Sequence, residues 1–181
     1  MINFKNLSKA LKHSRFPVFW FRTEKYSYLL TGYWGIKTTS NLHIKKGIFT
    51  TLINTFQAIP EISQGYKFMN KFEGAIPMET VQIKNFTELI EKIPETELTY
   101  TRLIHKRNEV DEDVVLRSPN NYIFVDRMYM DFIDITSETK LYGLKPNNAV
   151  YAQKDEEIAM ILPVRYGEIP EYLKSGGGTN E

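Results

Sequence analysis

With 181 residues, 42% of them hydrophobic and 25% charged, the chain can build one sizeable core or two small ones and is too apolar to be disordered throughout. It has no cysteine, which excludes disulfides, thiol catalysis and a cysteine-ligated zinc site, and no apolar run approaches the ~20 residues of a membrane helix. The net charge of +1 conceals a split: residues 1–60 carry nine Lys or Arg against one acid, Glu24, a formal +8, leaving 14 against 21, a formal −7, for residues 61–181.

In chain order, Asn3 is placed to cap a helix with apolar positions at Phe4, Leu7 and Leu11, and Pro17 stops its extension. This opening segment is amphipathic and bears lysines rather than forming an apolar leader, which with the missing cysteines points to the cytoplasm. Val18–Arg22, Tyr26–Leu30 and Tyr33–Lys37 read as strands, with a turn at Gly32. Ile48, Phe49, Leu52, Ile53 and Phe56 form one stripe of a helix of about three turns. Residues 61–84 read as loop and extended chain, punctuated by Gly65, Gly74 and Pro77.

A second round opens at Asn85, which with Glu88 has the spacing of a capping box ahead of Phe86, Leu89, Ile90 and Ile93. Strands follow at about 98–105, 113–118 and 121–125, then a short helix capped by Asp126, then strands at about 140–143, 149–153 and 157–163. Phe4, Leu7 and Leu11 correspond to Phe86, Leu89 and Ile93 at one offset of 82. The expectation is an α+β fold of helices on antiparallel sheet, built from repeated helix-plus-strands units. A basic unit, 1–84, and an acidic unit, 85–174, form one compact pseudo-twofold globule, and 175–181 make a flexible tail.

No catalytic constellation is visible. His13, His43 and His105 lack the spacing of a helical metal pair. Glu109, Asp111, Glu112 and Asp113, like Asp155, Glu156 and Glu157, sit in expected hairpin connections, where solvated acids are routine. Thr31 to Gly35 lacks the Lys and Ser of a phosphate-binding loop. Neither an enzyme nor a cofactor nor a metal is implied.

Binding signals are better. Lys5, Lys9 and Lys12 repeat near helical spacing, and Arg15, Arg22, Lys25, Lys37, Lys45 and Lys46 continue the series. Among them lie Phe16, Phe19, Trp20, Phe21, Tyr26, Tyr28, Tyr33 and Trp34. Cations neutralise phosphates, and exposed aromatic faces stack on unpaired bases. The same aromatics in strands also serve as core, and in Phe19-Trp20-Phe21 at least one face must be buried. The two halves either present separate basic and acidic surfaces or intermix and neutralise each other.

Residues Tyr122 to Tyr166 carry a resemblance. A strand, Tyr122–Asp126, leads into a short helix, Arg127–Ile133; strands follow near Leu141, Ala149 and Ile158, the last ending Leu162, Pro163, Val164, Arg165, Tyr166. The segment resembles the last half-domain of bacterial DNA polymerase sliding clamps, the processivity factors. The resemblance covers about a quarter of the chain; a full clamp subunit is about twice as long and has three domains, and here the chain continues past the Pro-containing strand. It implies a repeated helix-and-strands fold, helices facing DNA, and a pocket for partner peptides near Met160, Leu162, Pro163 and Arg165. The reading is a diverged, shortened, non-catalytic clamp-like protein associated with DNA, a replication accessory factor of a phage or mobile element. The alternative is a protein-interaction module with no DNA binding. DNA, a protein partner and a second copy of the chain stand as partners; a membrane does not.

Overall fold

The computed structural model describes residues 1–14, 17–39, 41–70 and 74–174. The expected tail at 175–181 lies outside these, as does Arg15. Helix α1 (Phe4–His13) starts where the Asn3 side chain accepts the Asn6 amide and buries Leu7, Ala10 and Leu11. Strands β1 (Val18–Arg22), β2 (Ser27–Thr31) and β3 (Trp34–Thr38) form an antiparallel meander. A 3-10 turn (Leu42–Ile44) and helix α2 (Phe49–Phe56) follow, then β4 (Gly65–Phe68), β5 (Ile76–Pro77) and α3 (Thr80–Glu91). The remainder is β6 (Thr99–Lys106), β7 (Glu112–Arg117), β8 (Tyr122–Asp126), α4 (Arg127–Met130), β9 (Lys140–Tyr142), β10 (Val150–Lys154), β11 (Glu157–Ile161) and α5 (Glu171–Lys174).

The fold is α+β. An eight-stranded sheet runs β5-β4-β1-β2-β3-β11-β10-β9 and a three-stranded sheet runs β6-β7-β8, every named pair antiparallel. The pairing of β3 with β11, with Ile36 opposite Ala159, joins the first and last strands into one sheet.

Alternation decides the layers, because successive side chains on a strand point to opposite faces. Val18, Trp20, Leu29, Trp34, Ile36, Ala152, Ala159 and Ile161 face inward, where they meet α1, α2, α4 and the inner face of the small sheet (Val114, Leu116, Ile123, Val125). Phe21, Tyr28, Leu30, Tyr151, Ile158 and Met160 face the other way, under α3. Both faces of the large sheet are thus covered, which is why its strands are rich in aromatic and aliphatic residues on both parities. Gly35 lies where α3 crosses: a Cβ there would meet Ile90 at 3.3 Å.

The structure corrects two expectations. Residues 61–84 hold two short strands and the start of α3, which begins at Thr80 rather than after Asn85. Its capping box is Glu79 with Gln82, whose side chain accepts the Glu79 amide at 3.3 Å. The expected boundary between 84 and 85 therefore falls inside a helix. Leu7 and Leu89, which the offset of 82 makes equivalent, have opposite fates: Leu7 is fully buried, while Leu89 is 47% exposed and Ile90 takes the contact with the sheet.

Candidate nucleic-acid interface

At 3.6 residues per turn, positions 5, 9 and 12 fall within about 60° of arc. Lys5, Lys9 and Lys12 therefore form one stripe on the solvent side of α1, opposite Leu7 and Leu11, and all three are exposed. The helix is held from both flanks. The Ser8 hydroxyl bonds the Thr51 hydroxyl of α2 at 2.6 Å, and the Asn6 amide donates to the Asp131 carbonyl beyond α4 at 2.9 Å.

Lys45 and Lys46 arrive at the N-terminal end of the same helix. The Lys45 ammonium lies 5.4 Å from the Phe4 ring centroid, and Gly47 packs so closely that a Cβ would stand 2.9 Å from the Lys5 nitrogen. Five of the nine expected cations are thus on or beside α1.

Three others lie elsewhere and are engaged. Arg22 donates to the Pro60 carbonyl and the Asn41 side chain, each at 3.1 Å. Its charge adds to burial in drawing the neighbouring His43 imidazole below its ordinary pKa; burial is the larger cause. Lys25 pairs with Glu156, and the hydrogen bonds from Lys25 and Tyr26 hold that carboxyl below the usual range. Lys37 pairs with Glu91 at 2.8 Å and sits 4.0 Å over the Tyr26 ring. Glu91 also accepts from the Tyr28 hydroxyl, at 2.9 Å. These pairs run between the basic and acidic halves of the sequence, so part of its charge split cancels in space while the α1 stripe does not.

One flank of the stripe is less basic. An open groove of about 550 Å³ between α1, α4 and the β6–β7 hairpin is lined by Lys9 and His13 on one side and Asp111, Glu112, Arg127 and Asp131 on the other. Arg127 pairs with Glu112 and, at 3.9 Å, with Asp131. Among the described residues, no group of three His, Cys, Asp or Glu is arranged to hold a metal ion.

The four residues expected at a partner pocket separate. Met160 is buried beneath α3, 5% exposed, and offers nothing to a partner. Leu162 and Arg165 are exposed and Pro163 is half-buried, on a segment fixed by the Leu162 amide to the Tyr33 carbonyl and the Val164 amide to the Phe124 carbonyl, both 2.8 Å.

No family model matches this chain, and no curated protein does. Among solved structures, it is similar over 98% of its length, and over 68% of the other chain, to a protein from Eubacterium rectale assigned as a DNA polymerase III beta subunit, with 10% identity and a TM-score of 0.38. A likeness of that size carries no argument about the role of this chain.

Two arrangements have no short-range sequence signal. On the outer face of the small sheet, the Tyr166 hydroxyl donates to the fully buried Asp113, and Arg107 reaches Asp113 at 3.6 Å and Asp126 at 2.9 Å. Burial, then the bond to Asp113, pushes the Tyr166 phenol well above its ordinary pKa. The second is a nearly parallel pair of rings, Tyr33 from the β2–β3 turn and Tyr129 from α4. In both, the partners come from separate elements, so only the fold brings them together.

Proposed function

We propose that this protein is a non-catalytic, DNA-associated protein that holds the phosphate backbone through Lys5, Lys9 and Lys12, with Lys45 and Lys46 extending the contact. The observation that carries this reading is the exposed lysine stripe of α1, clamped between α2 and α4 and, among the described residues, outside the ion pairs that occupy Lys25 and Lys37. A rigid helix presenting cations at fixed spacing loses little entropy on meeting a polyanion. The resemblance of residues 122–166 to sliding clamps gives the proposal its finer form: a clamp-like replication accessory factor of a phage or mobile element, with Leu162, Pro163 and Arg165 open to a protein partner.

The test is fluorescence anisotropy with labelled duplex DNA across a salt series. The logarithm of the affinity falls linearly with that of salt, and replacing Lys5, Lys9 and Lys12 together by Ala reduces the slope by about 0.9 for each phosphate that is no longer neutralised. An unchanged slope in the triple variant overturns the assignment.

A second reading rests on the acid-lined groove beside Lys9. In it the protein is an interaction module whose acidic side meets a basic protein, as an accessory or inhibitory factor. It predicts no DNA affinity at low salt and a stable complex in a pull-down that Asp111→Asn with Glu112→Gln weakens.

A further inference from the structure

The sequence places Tyr33 between Gly32 and Trp34, at the tip of the β2–β3 hairpin. The turn is built to hold one shape: the Thr31 hydroxyl oxygen accepts the amides of both Tyr33 and Trp34, at 3.1 and 3.2 Å. Trp34 points inward, fully buried, and its indole donates to the Ser14 hydroxyl at the end of α1, at 3.0 Å. Tyr33 itself lies in the turn ahead of β3, and 39% of it is exposed. Its carbonyl accepts the Leu162 amide at 2.8 Å, so the backbone is fixed from a second strand as well.

One face of the Tyr33 ring lies against Tyr129, with centroids 6.1 Å apart and planes 16° from parallel. The large aromatics preceding it in the sheet, Trp20, Phe21 and Tyr28, are consumed by the core, as is Trp34. Tyr26 is occupied by Lys37 and Glu156. Tyr33 is different: a rigid, backed, part-exposed ring tethered through Trp34 and Ser14 to the end of α1, whose last turn carries the exposed Lys12 and His13.

We infer that Tyr33 is a stacking platform for an unpaired base, at the end of a phosphate track formed by the α1 lysines, and that the nucleic acid held there is single-stranded. The inference rests on the phosphate-contact reading and deepens it. In a duplex the base faces are occupied by neighbouring pairs, whereas a single strand leaves each base free to lie on an aromatic face while its backbone follows nearby cations. Because Tyr33 is held by Tyr129 and by a bonded turn, little side-chain freedom is lost when a base stacks on it.

The experiment compares labelled oligothymidylate with a duplex of equal length, by anisotropy across a salt series, for the full chain and three variants. Tyr33→Leu is expected to weaken single-strand binding roughly ten-fold or more while leaving duplex affinity and the salt slope unchanged. The Lys5, Lys9, Lys12 triple Ala variant lowers the slope for both. Tyr33→Trp keeps the affinity, and its new indole is quenched as oligothymidylate is added; Trp20 and Trp34, fully buried, do not report. Unchanged single-strand affinity in Tyr33→Leu, or an unquenched Tyr33→Trp, overturns the platform while leaving the phosphate contact standing. Absence of binding to either DNA at low salt overturns both.

Discussion

Asp113 illustrates how one side chain can fasten a whole segment. It is fully buried on β7, and one of its carboxylate oxygens accepts a hydrogen bond from the Tyr166 hydroxyl, 53 positions on in the chain. The Arg107 nitrogen at 3.6 Å supplies charge but stands beyond hydrogen-bond length. Removing one partner from a buried polar group costs more than the bond is worth, because the remaining group is left desolvated. Tyr166→Phe is therefore expected to destabilise the protein by about 1–3 kcal/mol in denaturant unfolding. It also frees the chain after Val164, which limited proteolysis would detect as earlier cleavage between Val164 and α5. Resistance equal to the unaltered protein's would mean that the packing of Leu173 and the His105–Tyr172 contact hold the segment unaided.

At the scale of elements, the sequence is most legible where periodicity and caps agree. Helix α1 begins at its Asn3 cap, and α4 begins with the Asp126 carboxylate accepting the Met128 amide. Strand β1 occupies the stretch expected for it, and most other strands lie within a residue of theirs. Helix α3 departs from this. Glu at the cap position is outside the Ser, Thr, Asp, Asn preference, and Asn85 and Glu88 mimic a box from inside the helix, so the local pattern puts the cap six residues late, at Asn85 rather than Glu79. That displacement moves the apolar face by enough to pair Leu89 with Leu7. The structure makes the difference measurable. Ile90 is fully buried against Gly35, and Ile90→Ala should cost about 2–5 kcal/mol. Leu89→Ala should stay within about 0.5 kcal/mol, as exposed positions do. Comparable losses from the two would place the wrong face of α3 on the sheet.

The candidate site is legible only in part, and for a related reason. Lys5, Lys9 and Lys12 share a helix, so their common face follows from spacing alone. That Lys25 and Lys37 are tied to Glu156 and Glu91, and that Met160 is buried while Leu162 is exposed, depends on which elements the sheet order brings together. The β3–β11 pairing makes those decisions, and no local pattern encodes it.

Across the whole molecule, the same burial that builds the outer layers sets its response to alkali. Tyr28 and Tyr151 lie beneath α3, and Tyr166 and Tyr172 on the outer face of the small sheet. Burial raises the pKa of all four, helped at Tyr28 by Glu91 and at Tyr166 by Asp113. In the unfolded chain these phenols ionise near pH 10; in the native state they stay protonated to higher pH. Their contribution to stability is therefore complete below pH ~10 and falls away as pH rises towards the native values. Glu138 and Glu156, held low by Lys154 and Lys25, contribute far less at the acid end, because both are solvent-exposed pairs. The expected thermal profile falls by several degrees per pH unit above ~10. Tyrosinate absorbance from these four phenols should appear above pH ~10, together with loss of ellipticity. Tyr28→Phe should make the alkaline fall shallower, having one raised phenol fewer. If all eleven tyrosines titrate in a single stage near pH 10 with the fold intact, the outer layers are open to solvent and neither α3 nor the C-terminal segment seals them.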